Sequence, residues 1–145
     1  MRTQLLAVAI CRFVLLLPTF ADELNKKGET AVAREIDLRN YEAARPMGDV
    51  TKPTKITSAK ELAKAIPDKE WQKRIGKNVD FTKEYMVFFA WAGSGQDKLT
   101  FEVEEEKKQS VVVFSHSYGI TNDLRDHFHL YALRKNATWR MADDK

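Results

Sequence analysis

The chain has 145 residues, of which 43% are hydrophobic and 31% are charged, a composition typical of one globular domain. Its 24 lysines and arginines exceed its 21 aspartates and glutamates by only three, and they form no basic stripe, which argues against nucleic acid as a partner. The one cysteine, Cys11, falls in the first apolar segment, so disulfides, thiolate zinc sites and a cysteine nucleophile are excluded from the rest of the chain.

The first 21 residues are typical of a secretory signal peptide. A positive start is followed by an apolar run from Leu5 to Leu17 and by small residues before the predicted cleavage after Ala21. An uncleaved anchor is the alternative, because Arg12 interrupts the run, but a membrane-spanning helix needs about 20 apolar residues. We therefore predict a leader over 1–21 and a secreted or periplasmic protein that has no membrane span after cleavage. Because Cys11 is removed with the predicted leader, the exported part has no cysteine, which favours a bacterial origin.

The segment after the leader is polar and charged. Residues 22–33 predict a flexible lead-in, because they carry few apolar side chains for a core to bury. Apolar and charged residues then alternate, which predicts a strand near Arg34–Arg39. A helix is the alternative here, since the stretch from Tyr41 to Arg45 is rich in helix-forming residues.

Two short helices are predicted next. Ser58 and Glu61 form a capping box, in which the hydroxyl accepts from the amide three residues on and the carboxylate reaches back to the cap. Pro67 ends this helix, and Asp68 begins a second one that ends at Gly76.

From Val79 onward the pattern changes to strands and turns. Tyr85–Ala92 is a nearly continuous apolar run, which predicts a strand covered on both faces at the centre of a sheet. Alternation and turn residues predict the later strands around 99–104, 111–116, 127–134 and 138–141, and residues 142–145 predict a disordered tail. We therefore expect a single α+β domain over 34–141, with a curled antiparallel sheet of about five to six strands and two short helices on one side.

The three histidines are the best candidates for chemistry. His127 and His129 are two residues apart on a predicted strand, so both point to one face. His116 lies on the preceding strand. If the two strands form a hairpin that pairs 116 with 128, His116 points away from the other two histidines, and a shift of one residue in register reverses this. The sequence does not determine the register. The favoured interpretation is that His127 and His129 occupy the wetter face of a strand whose Phe128 faces the core. The alternative is a zinc site formed by the three imidazoles, in a metal-binding protein or metal-assisted hydrolase.

A second group of candidates lies where predicted strands end. Trp91 and Tyr118 are each near a glycine at such an end. Core packing is the first interpretation of these aromatic side chains, and exposed anchors for a ligand or partner are the alternative. Ser94 and Gln96 belong to the turn at 93–97, which with the loop at 118–126 predicts a contact surface. The residues around Ser94 do not match the Gly-x-Ser-x-Gly nucleophile motif, and no catalytic residue is predicted.

Three stretches carry a resemblance to known domains: KPTKITSAKELAKAI at 52–66, VDFTKEYMVFFAWAGSGQDKLTFEVEE at 79–105 and HFHLYALRKNATW at 127–139. They look like small secreted domains of unknown function from planctomycete-type bacteria. More distantly, the layout is similar to the C-terminal domain of PrcB-like protease-complex lipoproteins. The chain differs from that family in its His-x-His segment and in having no lipobox.

The resemblance implies a non-catalytic module that binds and stabilises a partner protease, and it carries over no catalytic residues. Together with the leader, it predicts an exported domain that binds or stabilises a protein partner in the cell envelope. We expect a protein that is not an enzyme and has no cofactor, with the zinc site as the alternative.

Overall fold

The structure, a computed structural model, describes residues 31–43 and 48–142. The predicted signal peptide and most of the predicted lead-in lie outside these ranges, as do the last three residues. Within the described ranges the chain forms two helices and seven strands. The helices are α1 (Ala59–Ala65) and α2 (Lys69–Gly76). The strands are β1 (Ala33–Ile36), β2 (Thr54–Ile56), β3 (Glu84–Ser94), β4 (Lys98–Glu106), β5 (Gln109–Ser117), β6 (Leu124–Arg134) and β7 (Thr138–Met141).

The predicted α+β class is confirmed, and the described strands are divided between two sheets. The larger sheet has the order β1-β6-β3-β2 and is antiparallel throughout. The smaller sheet has the order β4-β5-β7, in which β5 and β7 run parallel. Two sheets form because β3 is apolar on both of its faces, and each face needs a separate cover.

Two cores bury the two faces of β3. Its odd-numbered residues, including Val87 and Phe89, pack against the smaller sheet together with Phe114 of β5. Its even-numbered residues, including Met86, pack against the helices together with Ile75 of α2. The molecule therefore has three layers: helices, the larger sheet and the smaller sheet. The predicted position of Tyr85–Ala92 in the centre of a sheet is confirmed, since β3 lies between β6 and β2.

Both helices begin where the sequence predicts. The Ser58 hydroxyl accepts from the Glu61 amide at 3.3 Å, and an Asp68 carboxylate oxygen accepts from the Trp71 amide at 2.9 Å. The Glu61 carboxylate reaches back one residue further than a capping box requires, because it accepts from the amide and the hydroxyl of Thr57 at 2.6 and 2.7 Å. None of the helices in the described residues is long and apolar enough to cross a membrane.

Several sequence-based boundaries need correction, and β6 begins at Leu124, three residues before the predicted start. Ala33, which was predicted to belong to the lead-in, is buried and begins β1. That strand ends at Ile36 instead of Arg39, because the Asp37 carboxylate accepts from the Arg39 amide at 2.8 Å and turns the chain. At the other end, Ala142 was predicted to be in a disordered tail, but its amide donates to the Phe114 carbonyl at 2.7 Å.

Candidate functional site

Strand register brings all three histidines to the same side of the larger sheet. His127 of β6 lies opposite Trp91 of β3, and His129 lies opposite Phe89. Both imidazoles point toward the smaller sheet, because Tyr131, two residues further on, belongs to the core between the sheets. The pairing of β5 with β6 that was considered from the sequence is wrong, since β5 pairs with β4 and β7.

His116 reaches the same region from the smaller sheet. His116 lies on the same face of β5 as Val112 and Phe114, which both face the core between the sheets. Its side chain is only 5% exposed, and its ring lies 5.3 Å from that of Trp91 at an interplanar angle of 82°. The structure thus brings together residues that the sequence could place only on separate strands.

The indole of Trp91 is the centre of this group, which we call the histidine–tryptophan cluster (Trp91, His116, His127 and His129). The His127 and His129 rings stack with the indole at centroid distances of 4.7 and 5.4 Å and angles of 9° and 16°. Trp91 is 4% exposed, so its interpretation as an exposed anchor is wrong. Its large apolar surface is used in the core instead.

The ring nitrogens of the cluster point to different partners. His127 Nε2 lies 2.8 Å from the Ser94 carbonyl oxygen, and His129 Nδ1 lies 3.0 Å from Glu35 Oε1. Both nitrogens of His116 are buried without a hydrogen-bond partner, and its Nε2 is 3.6 Å from Asp97 Oδ2. A buried polar atom without a partner is uncommon in folded proteins, so His116 is the least satisfied side chain of the cluster.

The histidine–tryptophan cluster does not place a set of coordinating atoms around one point, as a zinc site requires. Zinc requires about four ligand atoms at tetrahedral positions near 2 Å from one point. The described residues contain no group of three His, Cys, Asp or Glu that is placed to hold a metal ion. The three imidazoles surround an indole, and the ring nitrogens of His127 and His129 face other protein atoms. The zinc site at His116, His127 and His129 stays a prediction that this geometry does not favour.

Asp97, which follows the turn after β3, connects the cluster to the protein surface. Its side chain is 3% exposed, its Oδ1 accepts from the Gly119 amide at 2.7 Å, and its Oδ2 accepts from the Trp91 indole at 3.0 Å. Burial disfavours the charged form, but the bonds from Gly119 and Trp91, aided by the nearby His116, lower the pKa of Asp97 below its usual 3.8. The carboxylate therefore joins two loops to the core.

The two loops predicted as a contact surface form one continuous surface, which we call the loop surface (residues 93–97 and 118–126). The Ser94 and Thr121 hydroxyls lie 2.6 Å apart, and the Thr121 amide donates to Ser94 Oγ at 3.2 Å. The Gly95 amide donates to the Asp123 carbonyl at 3.1 Å. The Ser94 hydroxyl is thus used to join the loops, whereas Gln96 is exposed.

Exposed apolar side chains are concentrated at the loop surface. Tyr118 is 72% exposed, as its interpretation as an anchor predicts, and Ile120 and Leu124 are 93% and 57% exposed. Tyr118 and Ile120 also line a shallow groove of about 560 Å³, together with Gly95, Gln96, Lys98, Ser117 and Gly119. Sequence analysis missed Ile120, in the loop, and Leu124, the first residue of β6, although an isolated apolar residue in a polar stretch is a signal that was available.

No protein-family model matches the chain, and no curated protein or solved structure matches it significantly. The likeness to the PrcB-like domains therefore stays a prediction.

Proposed function

We propose that this chain is a non-catalytic exported domain that binds or stabilises a protein partner in the cell envelope through the loop surface. The observation that supports this most is the distribution of exposed apolar side chains. Four large ones are exposed in the described residues, and three of them, Tyr118, Ile120 and Leu124, fall within seven consecutive positions. Single exposed apolar residues are ordinary, but a group of them is typical of a protein-binding site.

The hydrogen bonds beneath the loop surface also favour binding. Asp97 holds the Gly119 amide, and Ser94 holds Thr121, so the backbone that carries the apolar side chains is already ordered. The ring of Tyr118 lies 4.5 Å from that of His116, which places a tyrosine anchor directly above the buried cluster. A surface that is ordered before binding loses less conformational entropy when the partner arrives.

The nature of the partner is proposed from the sequence. The predicted leader supports an encounter outside the cytoplasm. The likeness to PrcB-like domains supports a protease or another enzyme of the envelope as the protein that is stabilised.

The binding proposal is tested with immobilised protein and an envelope extract of the source organism. We expect the wild-type chain to retain a partner that the double variant Ile120→Ser/Leu124→Ser retains at least about tenfold less, because apolar anchors dominate such interfaces. Val103→Ser is the matched control, since Val103 is 44% exposed on β4 outside the loop surface. Equal retention by wild type and the double variant would contradict the proposal.

Export is tested separately by N-terminal sequencing of material recovered from outside the cytoplasm. Cleavage of the predicted leader gives a chain that begins at or near Asp22. An intact Met1 would refute the leader without affecting the binding test.

A further inference from the structure

A second groove lies at the other end of the strands from the loop surface. It is bounded by β2, an outer strand of the larger sheet, and by β7, an outer strand of the smaller sheet. The groove has a volume of about 520 Å³ and is lined by Lys55, Thr57, Tyr85, Gln109, Lys135, Asn136, Ala137, Thr138 and Trp139.

The lining is cationic, with two lysines and no carboxylate. The Lys55 ammonium lies 4.5 Å from the centre of the Tyr85 ring, and it forms no ion pair with any described residue. The Lys135 ammonium likewise forms no ion pair with any described residue. Its backbone is fixed, because the Lys135 amide donates to the Lys83 carbonyl at 2.9 Å. An ammonium group without a carboxylate partner is available to an anionic ligand.

The walls of the groove are rigid and partly aromatic. The Tyr85 hydroxyl donates to the Ala137 carbonyl at 3.1 Å, which holds the turn between β6 and β7 against β3. Trp139 is half-buried, and its ring lies 6.5 and 6.2 Å from those of Phe89 and Phe114. Its indole N–H forms no hydrogen bond within the described residues. An aromatic wall with a free donor suits a ligand that has an apolar face and polar substituents.

Hydrogen-bonding groups surround the aromatic wall. Asn136 and Thr138 are exposed in and beside the β6–β7 turn. The Gln109 side-chain amide donates to the Asn136 backbone carbonyl over a long distance of 3.5 Å, so this bond is weak. On the opposite wall, Thr57 donates its hydroxyl to Glu61, and this carboxylate limits the positive region. The groove therefore suits a ligand with one negative charge and several hydroxyls better than it suits a polyanion.

We propose that this groove binds a sugar acid, a monosaccharide-sized ring that carries one carboxylate. The carboxylate lies between the Lys55 and Lys135 ammonium groups, the sugar ring lies against Trp139, and hydroxyls bond to Asn136 and Thr138. The volume of about 520 Å³ falls within the range of small-molecule sites, about 300 to 1,000 Å³. This site is independent of the proposed partner binding, because it shares no residue with the loop surface.

The test is a titration of the ¹⁵N-labelled purified protein with glucuronate, followed by NMR. We expect the indole N–H signal of Trp139 to shift in a saturable way, whereas that of Trp71 stays in place because Trp71 packs against the other core, beside the helices. We expect Lys55→Gln/Lys135→Gln to weaken binding about tenfold, through loss of two charge-assisted contacts. Lys60→Gln, exposed on α1, is the matched control for a change in charge.

Glucose and inorganic phosphate are the comparison ligands. Weaker binding of glucose supports the carboxylate contact, and weaker binding of phosphate supports the ring contact. The proposal is overturned if glucuronate at millimolar concentration does not shift the Trp139 indole signal. It is also overturned if Lys55→Gln/Lys135→Gln, folded as judged by its ligand-free spectrum, binds glucuronate as well as wild type does, or if glucose or phosphate binds as tightly as glucuronate.

Discussion

His116 shows how one buried side chain can act against stability. Both of its ring nitrogens are buried without a partner, and an unsatisfied buried polar group costs about 1–3 kcal/mol. We therefore expect His116→Phe to raise the free energy of unfolding by about 1 kcal/mol at pH 7, because phenylalanine fills the same space beside Trp91 without polar atoms. The variant also removes the contact of Nε2 with Asp97 Oδ2, but at 3.6 Å this contact is too long for a hydrogen bond and offsets less than the two unsatisfied nitrogens cost. Urea denaturation followed by circular dichroism measures the change.

His127→Phe is the matched control for that substitution. It removes a ring nitrogen that lies 2.8 Å from the Ser94 carbonyl, so we expect it to lower stability by about 1 kcal/mol. A loss of stability in His116→Phe as large as that in His127→Phe would show that the His116 nitrogens are satisfied in solution.

Asp97 gives a pH dependence whose sign follows from its lowered pKa. Its folded-state pKa lies below the usual 3.8, so the ionised carboxylate stabilises the fold above that pH, and the contribution is lost as the pH falls through the folded-state pKa. We expect Asp97→Asn to be less stable than wild type at pH 7 by about 1–3 kcal/mol. Gly119 and Trp91 donate to different oxygens of Asp97, and in asparagine one of these two positions holds an NH2 group, which cannot accept. Its stability should also fall less than that of wild type between about pH 5 and pH 2.

Glu102→Gln is the control for the pH series. Glu102 is exposed on β4, so the variant loses one carboxylate without losing a buried contact. The role given to Asp97 would be contradicted if Asp97→Asn and wild type lost stability in parallel on acidification.

The cluster also shows what the sequence can predict at the scale of residues. The two-residue spacing of His127 and His129 was enough to place them on one face, because strand side chains alternate. The contact of both with Trp91 was not predictable, since it depends on pairing between β3 and β6, which are separated in sequence by two other strands. Burial of Trp91 has the same origin: β5 covers it from the other sheet.

At the scale of elements, local signals were reliable and distant ones were not. The N-caps Ser58 and Asp68 act within three residues of themselves, so both helix starts were predicted correctly. The division of the strands into two sheets depends on which strands meet, and alternation carries no information about partners. The parallel pairing of β5 with β7 is an example. Strands that follow each other along the chain usually pair as antiparallel hairpins, whereas β7 passes over its neighbour β6 in the sequence and pairs with β5.

Gly119 tests whether the two loops of the loop surface are packed as one element. A Cβ atom at this position would lie 2.8 Å from the Gln96 backbone carbon, closer than real side chains approach. We expect Gly119→Ala to push the loops apart, to lower stability by about 1–3 kcal/mol and to reduce partner capture, because the bond from the Gly119 amide to Asp97 is lost. Thermal unfolding and the capture assay measure the two effects.

Gly76→Ala is the control for this substitution. Gly76 ends α2, and no atom would lie within 4 Å of an added Cβ. Alanine favours a helix over glycine, so this variant should be as stable as wild type or slightly more stable. Full partner capture by a folded Gly119→Ala chain would mean that the two loops act independently.

At the scale of the whole molecule, the larger sheet is shared by both cores. Phe89 of β3 is completely buried against the smaller sheet, and Met86 of the same strand is completely buried against the helices. Neither the helices nor the smaller sheet can bury its apolar face without this strand. We therefore expect the described part of the chain to unfold in one cooperative transition, as small single domains usually do.

Tryptophan positions allow this cooperativity to be measured layer by layer. Trp71 reports on the helix layer and Trp139 on the smaller sheet. Variants in which one of these two is the single tryptophan, with Trp91 also replaced by phenylalanine, therefore follow each layer by fluorescence during urea denaturation. We expect the two urea midpoints to coincide. Leu62→Ala in the helix core should lower both midpoints together, with a loss of about 2–5 kcal/mol in the free energy of unfolding. The same holds for Phe89→Ala, which removes a ring packed against Phe114 from the other core. If Leu62→Ala moved the Trp71 transition while that of Trp139 stayed in place, the shared sheet would not couple the layers, because the smaller sheet would then hold its core without the helices.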